Sequence, residues 1–437
     1  MHSIVFIVKS SNDNKEQART NYMPPLGVLS IANTLRLHGY NVEVLDFSAR
    51  NYDTSEIDGL IERVKPLYIG FSVYTENIDN VFIICKYLKK RFRNIPLVLG
   101  GPHPTLDTEY CKRKRFVDYI LVGDGEHNAL ELAEALRTNG KLIPFEDIQG
   151  IVYIGEDGEY KNGQPRRFVT NIDLLPIINR DYVEKSFSAG LPTVYSSRGC
   201  PGKCIYCAAP SMSGGKYRMR EITNVFLESL YINEVCANLH QIFYCDDTFT
   251  VFRKRLETFI QLYSQCKVKF HWRCESRVDS LYRNSSILEG LKAAGCERIQ
   301  FGIESGNQEV LNNIRKEIEL SQAYEIIDKT IKTGIPVVTS FIFGHYCDTL
   351  QTMEDTVNMM EKLKEMYGDM IEIAYALNTP FPGTYQYENM DELGMELTAK
   401  TFAELDMYGP VVRTKNFDRD DLNRFNSRAV KIYNIGG

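Results

Sequence analysis

Short apolar runs alternate with longer amphipathic stretches through the first 140 residues. Ile4–Val8 is apolar throughout and of strand length, and Leu26–His38 repeats its apolar positions at helical spacing before Gly39. Asn41–Asp46 predicts a second strand and Ser55–Val64 a second helix. Tyr68–Val73 predicts a third strand and Val81–Phe92 a third helix. Leu97–Leu99 ahead of Gly100-Gly101, then Tyr119–Val122 and a helix from Ala129, complete the series. Such βα alternation predicts an α/β domain with a doubly wound, Rossmann-like parallel sheet over residues 1–140. Ligands of such sheets sit past the carboxyl ends of the strands. The loops there are Ser72-Val73-Tyr74-Thr75, Gly100-Gly101-Pro102-His103-Pro104-Thr105 and Gly123-Asp124-Gly125-Glu126. No GxGxxG fingerprint follows the first strand, which speaks against a dinucleotide.

Residues 141–185 read as a connector with a small hairpin, Gly150–Ile154 and Tyr160, around an Asp157-Gly158 turn. Asp173-Leu174-Leu175-Pro176 and Asn179-Arg180-Asp181-Tyr182 lead out of it. Alternation returns over 186–385 with strands at Val194–Ser196, Gln241–Cys245, Lys269–Arg273, Arg298–Ile303, Val337–Phe343 and Ile371–Leu377. Six such units predict a partial (β/α)6 barrel with its reactive centre at the strand C-termini. Residues 386–437 predict a short helical tail, interrupted at Tyr408-Gly409-Pro410, that covers the barrel mouth.

The loop after the first barrel strand carries Cys200, Cys204 and Cys207, a CxxxCxxC spacing with Tyr206 before the third cysteine. Three thiolates this close can ligate three irons of one [4Fe–4S] cube and leave the fourth iron open. A zinc knuckle would need a second cysteine pair nearby, and none follows. The segment Gly199-Cys200-Pro201-Gly202-Lys203-Cys204-Ile205-Tyr206-Cys207 resembles the radical S-adenosylmethionine (SAM) superfamily. That resemblance implies Cys200, Cys204 and Cys207 as iron ligands, SAM chelated to the open iron, and Tyr206 against the adenine.

Composition narrows this further. With 43% hydrophobic and 25% charged residues the chain is an ordinary globular protein, and a net charge of −6 excludes a general nucleic-acid binder. No apolar run approaches membrane-span length, and no basic leader with a cleavage site is read at the N-terminus. Eleven cysteines without a secretion signal fit the reducing cytoplasm. Two basic clusters, Lys86–Arg93 and Lys112–Arg115, read as solvated faces. The other eight cysteines make no CxxC pair, so a single cluster is expected.

Pro24-Pro25-Leu26-Gly27, Asp46, Gly70-Phe71-Ser72 and the three loops above resemble the cobalamin-binding domain fused to many radical SAM enzymes, the class B methyltransferases among them. The resemblance implies a cobalamin site at Ser72, Tyr74, Thr75, Gly100, Gly101, His103, Gly123 and Glu126. The DxHxxG motif that supplies a lower cobalt ligand is missing around all seven histidines. The resemblance implies base-off cobalamin with no protein histidine on cobalt; His103 reads as a loop residue beside the cofactor and Glu126 as capping or positioning the next helix.

Further segments at the barrel strand ends match the same family. Asp246 and Asp247 stand where the SAM amino group is met, or else cap a helix. Arg277 could fork the methionine carboxylate or pair with Glu275. Glu304 and Ser305 resemble ribose contacts, or cap the strand end. Ser340 lies on the fifth strand, which contacts SAM, and Gly344 gives room for close backbone approach.

The family implies a cobalamin-dependent methyltransferase. It would act on an unactivated carbon of a small natural product or metabolite, through a 5′-deoxyadenosyl radical and methylcobalamin. Its partner would be an external one-electron reductant of flavodoxin or ferredoxin type. Two rivals remain: a radical rearrangement, ring contraction or cyclisation without net methyl transfer, and a non-catalytic corrinoid-binding or cluster-sensing protein.

Overall fold

A computed structural model describes residues 2–9, 22–48, 50–180, 192–236 and 241–434. The chain divides into two compact units, Met1–Leu191 and Pro192–Gly437. Asp181 and Tyr182 of the connector lie outside the described residues.

The first unit is built on strands β1 (Ser3–Val8), β2 (Asn41–Asp46), β3 (Ile69–Ser72), β4 (Leu97–Gly100), β5 (Tyr119–Leu121), β6 (Ile151–Ile154) and β7 (Tyr160–Asn162). They form one sheet in the order β2-β1-β3-β4-β5-β6-β7. β1 to β5 run parallel, as the buried apolar runs predict. The order reverses between β1 and β3, which opens a crevice at their carboxyl ends. The connector's hairpin forms, with Gly158 left-handed at φ 77° in its turn. It does not stand apart: β6 pairs antiparallel with β5 and extends the sheet. The helix expected from Ala129 begins earlier, at Gly125, and runs to Thr138. Ile4, Phe6, Val28, Leu35, Tyr68 and Leu132 share one core between sheet and helices, each fully buried apolar side chain contributing about 1.5–3 kcal/mol. The two basic clusters are solvated faces holding surface ion pairs, Lys89–Asp118, Arg91–Glu62, Lys112–Glu109 and Arg115–Glu159. Pairs of this kind contribute about 0–1 kcal/mol each.

In the second unit β8 (Thr193–Val194) is followed by the short ladder β9 (Ser197–Arg198) and β10 (Arg218–Met219). Then come β11 (Ile242–Tyr244), β12 (Trp272–Ser276), β13 (Cys296–Glu304), β14 (Val337–Phe343) and β15 (Ile371–Leu377). The main sheet, in the order β15-β14-β13-β12-β11-β8, is parallel throughout, so each strand lies beside its neighbour in sequence, as in an open (β/α)6 barrel. β12 starts at Trp272 rather than Lys269, because its ladder with β11 begins at the Ile242–Trp272 pair, although Phe270 before it already packs into the aromatic core. Trp272 packs edge-on to Phe259 at 5.4 Å, and its indole N–H donates to the Ala294 carbonyl at 2.6 Å. Tyr244 stacks on Phe249 at 4.7 Å in the same cluster.

The tail differs from the expectation of a purely helical one. β16 (Glu396–Leu397) and β17 (Val412–Arg413) pair antiparallel across the Tyr408-Gly409-Pro410 break. A last helix, Arg419–Tyr433, opens on a capping box between Asp418 and Asp421. It packs against β14, β15 and the helix Leu350–Tyr367. Phe425 stacks on Phe343, and Leu422 fills the space over Gly344, whose φ is 89°. Gly344 therefore makes room for the tail. No described helix is long and apolar enough to cross a membrane.

Candidate cofactor sites

The β9–β10 ladder frames the cysteine loop. Gly199 is left-handed at φ 89°, and a Cβ there would run into the Lys216 carbonyl. The loop is held by the Ile205 N–H on the Ile314 carbonyl (3.1 Å) and the Gln386 N–H on the Ile205 carbonyl (3.0 Å). The Ser211 hydroxyl adds a bond to the Gly383 carbonyl (2.6 Å). Each cysteine sulfur accepts one N–H. Gly202 donates to Cys200 and Ala209 to Cys207, both at 3.4 Å, and the Arg277 guanidinium donates to Cys204 at 3.8 Å. Burial raises the Cys200 thiol and pushes Cys207 to about 12. Metal binding itself must therefore draw off these protons.

On β12 to β14 the largely buried Glu275, Gln300 and Ser340 alternate with fully buried Cys274, Phe301 and Phe341, so the polar set faces the barrel interior. Gln300 donates to the Ser340 hydroxyl at 3.0 Å. Burial and the Asp247 charge raise Glu275 to about 7. Asp247 is exposed, and its charge is felt at Cys200 and Cys207.

Asp246 has a different part. It accepts the Ser196 and Ser197 N–H groups (2.5 and 3.1 Å) and the Ser196 hydroxyl, tying the start of the cysteine segment to the end of β11. Neither aspartate caps a helix, since the next one starts at Arg253 behind Phe252.

Arg277 does not pair with Glu275. Its Nε meets Asp279 at 2.8 Å and Nη2 donates to the Lys316 carbonyl at 2.9 Å, which leaves Nη1 for Cys204. Its fork is thereby occupied, against the expectation of a carboxylate clamp. Glu304 pairs with buried Lys316 at 2.6 Å. The Ser305 hydroxyl accepts the Asn307 N–H at 3.1 Å and meets Thr356 at 3.3 Å, the capping role. Tyr206 lies 5.4 Å from the His345 ring. His345 is fully buried, with neither ring nitrogen hydrogen-bonded, and burial with nearby Lys316 holds it down at about 3.

In the first unit the three strand-end loops meet. Ser72 pairs with Gly100 across β3 and β4, and the Gly123 N–H donates to Thr105 Oγ1 at 3.0 Å. Gly101 has φ 103°, and a Cβ there would lie 2.8 Å from the Val73 nitrogen. Buried His103 bonds Thr75 Oγ1 at 3.1 Å, and burial lowers it to about 4. Tyr74 is half exposed beside them. Glu126 does not cap its helix; it accepts the Ser30 hydroxyl at 2.6 Å and ties the helices Gly125–Thr138 and Leu26–Leu37 together.

The B12 binding domain family matches residues 18–133, and the Radical SAM superfamily matches residues 194–360. The chain belongs to the radical SAM superfamily, in its B12-binding branch. This radical SAM chain is 28% identical to an uncharacterized methyltransferase of Pyrococcus horikoshii, over 93% of its own length and 86% of the relative's. It is 24% identical to an anaerobic magnesium-protoporphyrin IX monomethyl ester cyclase of Rubrivivax gelatinosus, over 96% and 75%. A similar fold is seen in the radical S-adenosylmethionine methyltransferase TsrM from Kitasatospora setae, solved with cobalamin and a [4Fe–4S] cluster. There the TM-score is 0.78 at 16% identity, covering 100% of this chain and 89% of that one.

The cofactors of these two domains are a [4Fe–4S] cluster, SAM and cobalamin, and the residues present fit them. Among the described residues no three His, Cys, Asp or Glu side chains gather as ligands of a single ion. A cube does not require that, because each thiolate takes its own iron. Orphaned His345 beside Tyr206 fits a polar ligand at the barrel mouth. At the strand ends of the first sheet the glycines let the loops pack closely, Gly101 on the Val73 backbone and Gly123 on Arg166, and these loops lie within the matched B12 binding domain. Lys316, His345 and Thr105 were outside the expected site set. Thr105 lay within the quoted loop motif, whereas Lys316 and His345 carried no local signal.

Proposed function

We propose that this protein is a cobalamin-dependent methyltransferase that methylates an unactivated carbon of a small-molecule substrate. The observation that carries the proposal is a donor-lined cysteine triplet in one unit and glycine-bearing strand-end loops of a B12 binding domain in the other, on one chain. When bound, the cluster and SAM supply a 5′-deoxyadenosyl radical and cobalamin supplies a methyl group.

Cys200, Cys204 and Cys207 hold three irons in this reading, and Tyr206 lies against the adenine. Asp247 and Glu275 offer negative charge to the SAM amino group and sulfonium, and Glu304 offers its second carboxylate oxygen to the ribose. Ser340, fixed by Gln300, lines the interior, while Asp246, Ser305 and Arg277 hold the frame. Over the first sheet Ser72, Tyr74, Thr75, Gly100, Gly101 and Gly123 receive the corrin. His103, engaged by Thr75, would stand beside the corrin rather than hold its cobalt. Glu126 braces the helices behind the site. Electrons come one at a time from a flavodoxin- or ferredoxin-type donor. The eleven free cysteines suit a reducing cytoplasm.

Methyl transfer uses two SAM molecules per product. One loses its methyl and leaves S-adenosylhomocysteine, and the other is cleaved to methionine and 5′-deoxyadenosine. The cyclase relative favours a second reading, cyclisation without methyl transfer. Anaerobic turnover of reconstituted protein on a small-molecule extract separates them. Equal amounts of S-adenosylhomocysteine and 5′-deoxyadenosine support methylation; 5′-deoxyadenosine alone supports the second reading.

A further inference from the structure

Two of the three cysteine sulfurs take their N–H from the backbone of their own loop, and Cys204 alone takes it from a side chain. That side chain is cationic and only 7% exposed. Gly202 makes the approach possible, since a Cβ there would lie 2.5 Å from Arg277 Nη1 and 3.4 Å from the Cys200 sulfur. The guanidinium thus lies beneath the loop between the first two cysteines. Asp279 and the Lys316 carbonyl fix its other two nitrogens, so Nη1 is aimed rather than free to rotate.

We propose that Arg277 is a positioning residue for the cluster's electronics: its charged N–H on Cys204 raises the cluster's reduction potential. Each electron added to an iron–sulfur cube increases its negative charge. A buried cationic donor on a ligating sulfur therefore favours the reduced form, and hydrogen bonds to sulfur are among the levers that set such potentials. Low exposure keeps solvent from screening the charge. Asp279 opposes the effect by sharing the guanidinium, and it is itself shared with Arg283 at 3.1 Å. The anion and the cation together set the bias.

The proposal rests on Cys200, Cys204 and Cys207 holding the cluster, and the experiment tests that first. The full chain is reconstituted anaerobically and its iron and sulfide are counted. A wild-type chain that holds no cluster contradicts the ligand assignment. The midpoint potential is then measured without SAM by redox titration followed by electron paramagnetic resonance. Arg277→Gln is expected to shift the midpoint to more negative values, and Arg277→Lys to recover part of the shift. Asp279→Asn, which removes the competing anion, is expected to shift it to more positive values and decides the matter if Arg277→Gln holds no cluster. An unshifted midpoint in cluster-loaded Arg277→Gln overturns the proposal, as does an unshifted or more negative one in Asp279→Asn. A group that bound only the SAM carboxylate would change SAM affinity and leave all these midpoints unchanged.

Discussion

Lys316 donates to Glu304 across 2.6 Å with both side chains buried at the mouth of the barrel. The backbone around the pair is left-handed at Glu304 (φ 74°), Arg315 (φ 55°) and Glu317 (φ 58°). These are three of the five non-glycine residues with positive φ among the described residues. Each such residue costs on the order of 1–3 kcal/mol and persists only where its surroundings enforce it. The same segment carries the Lys316 carbonyl that holds Arg277 and the Ile314 carbonyl that holds Ile205, so strain, ion pair and cysteine loop form one assembly.

Removing one partner of this pair leaves a buried charge uncompensated. Lys316→Met should therefore cost about 3–5 kcal/mol of stability, and adding Glu304→Gln should recover part of it. Chemical unfolding of the two variants measures both. Equal stabilities for wild type and Lys316→Met would contradict the pairing.

Glu275 gives a pH signature. Burial raises its carboxyl to about 7 from an ordinary value near 4.5, so the folded chain binds this proton more tightly than the unfolded chain. Stability from this group is complete below pH ~4.5, falls as pH rises, and is lost above about 7, a change of about 1–3 kcal/mol. Glu275→Gln should flatten that part of the profile. Thermal midpoints of the cluster-free chain between pH 4.5 and 7.5 test it, and parallel profiles would refute it.

Gly101→Val should abolish corrinoid retention, because a side chain at φ 103° would strike the Val73 backbone and spread the β3 and β4 loops. Cluster content, carried by the other unit, should stay at the wild-type level. Retained hydroxocobalamin in this variant would place the corrin elsewhere.

Much of the fold was legible in the sequence because hydrophobic period and strand order agree. Val337–Phe343 and Ile371–Leu377 coincide with their expected bounds. The cysteine spacing marked its loop for a comparable reason, since all its members lie within a few residues. Partnership across the fold was harder to read. That Arg277 would turn to Asp279 and Cys204 depends on Gly202 lacking a side chain and on the carbonyl of Lys316, which is distant in sequence. Asp246 reads as a contact of the SAM amino group or a helix cap from its strand-end position, yet folding brings Ser196 and Ser197 onto it. The β16–β17 pair escaped because two-residue strands carry no period.

Trp272 offers a check on the barrel core itself. Trp272→Ala removes a fully buried indole and its bond to Ala294, and should cost about 3–5 kcal/mol. Trp272→Phe should cost less. A small loss for Trp272→Ala would mean that the aromatic cluster around Tyr244, Phe249 and Phe259 can collapse to fill the space.

The central claim is that one chain joins radical cleavage of SAM to a methyl group carried on cobalamin. The most direct measurement uses the anaerobically reconstituted protein, loaded with hydroxocobalamin and given reductant and SAM labelled with deuterium in its methyl group. The account predicts one corrinoid retained per chain and the labelled methyl recovered on it by mass spectrometry. A protein that assembles its cluster, yet retains no corrinoid or leaves it unlabelled, would contradict the account.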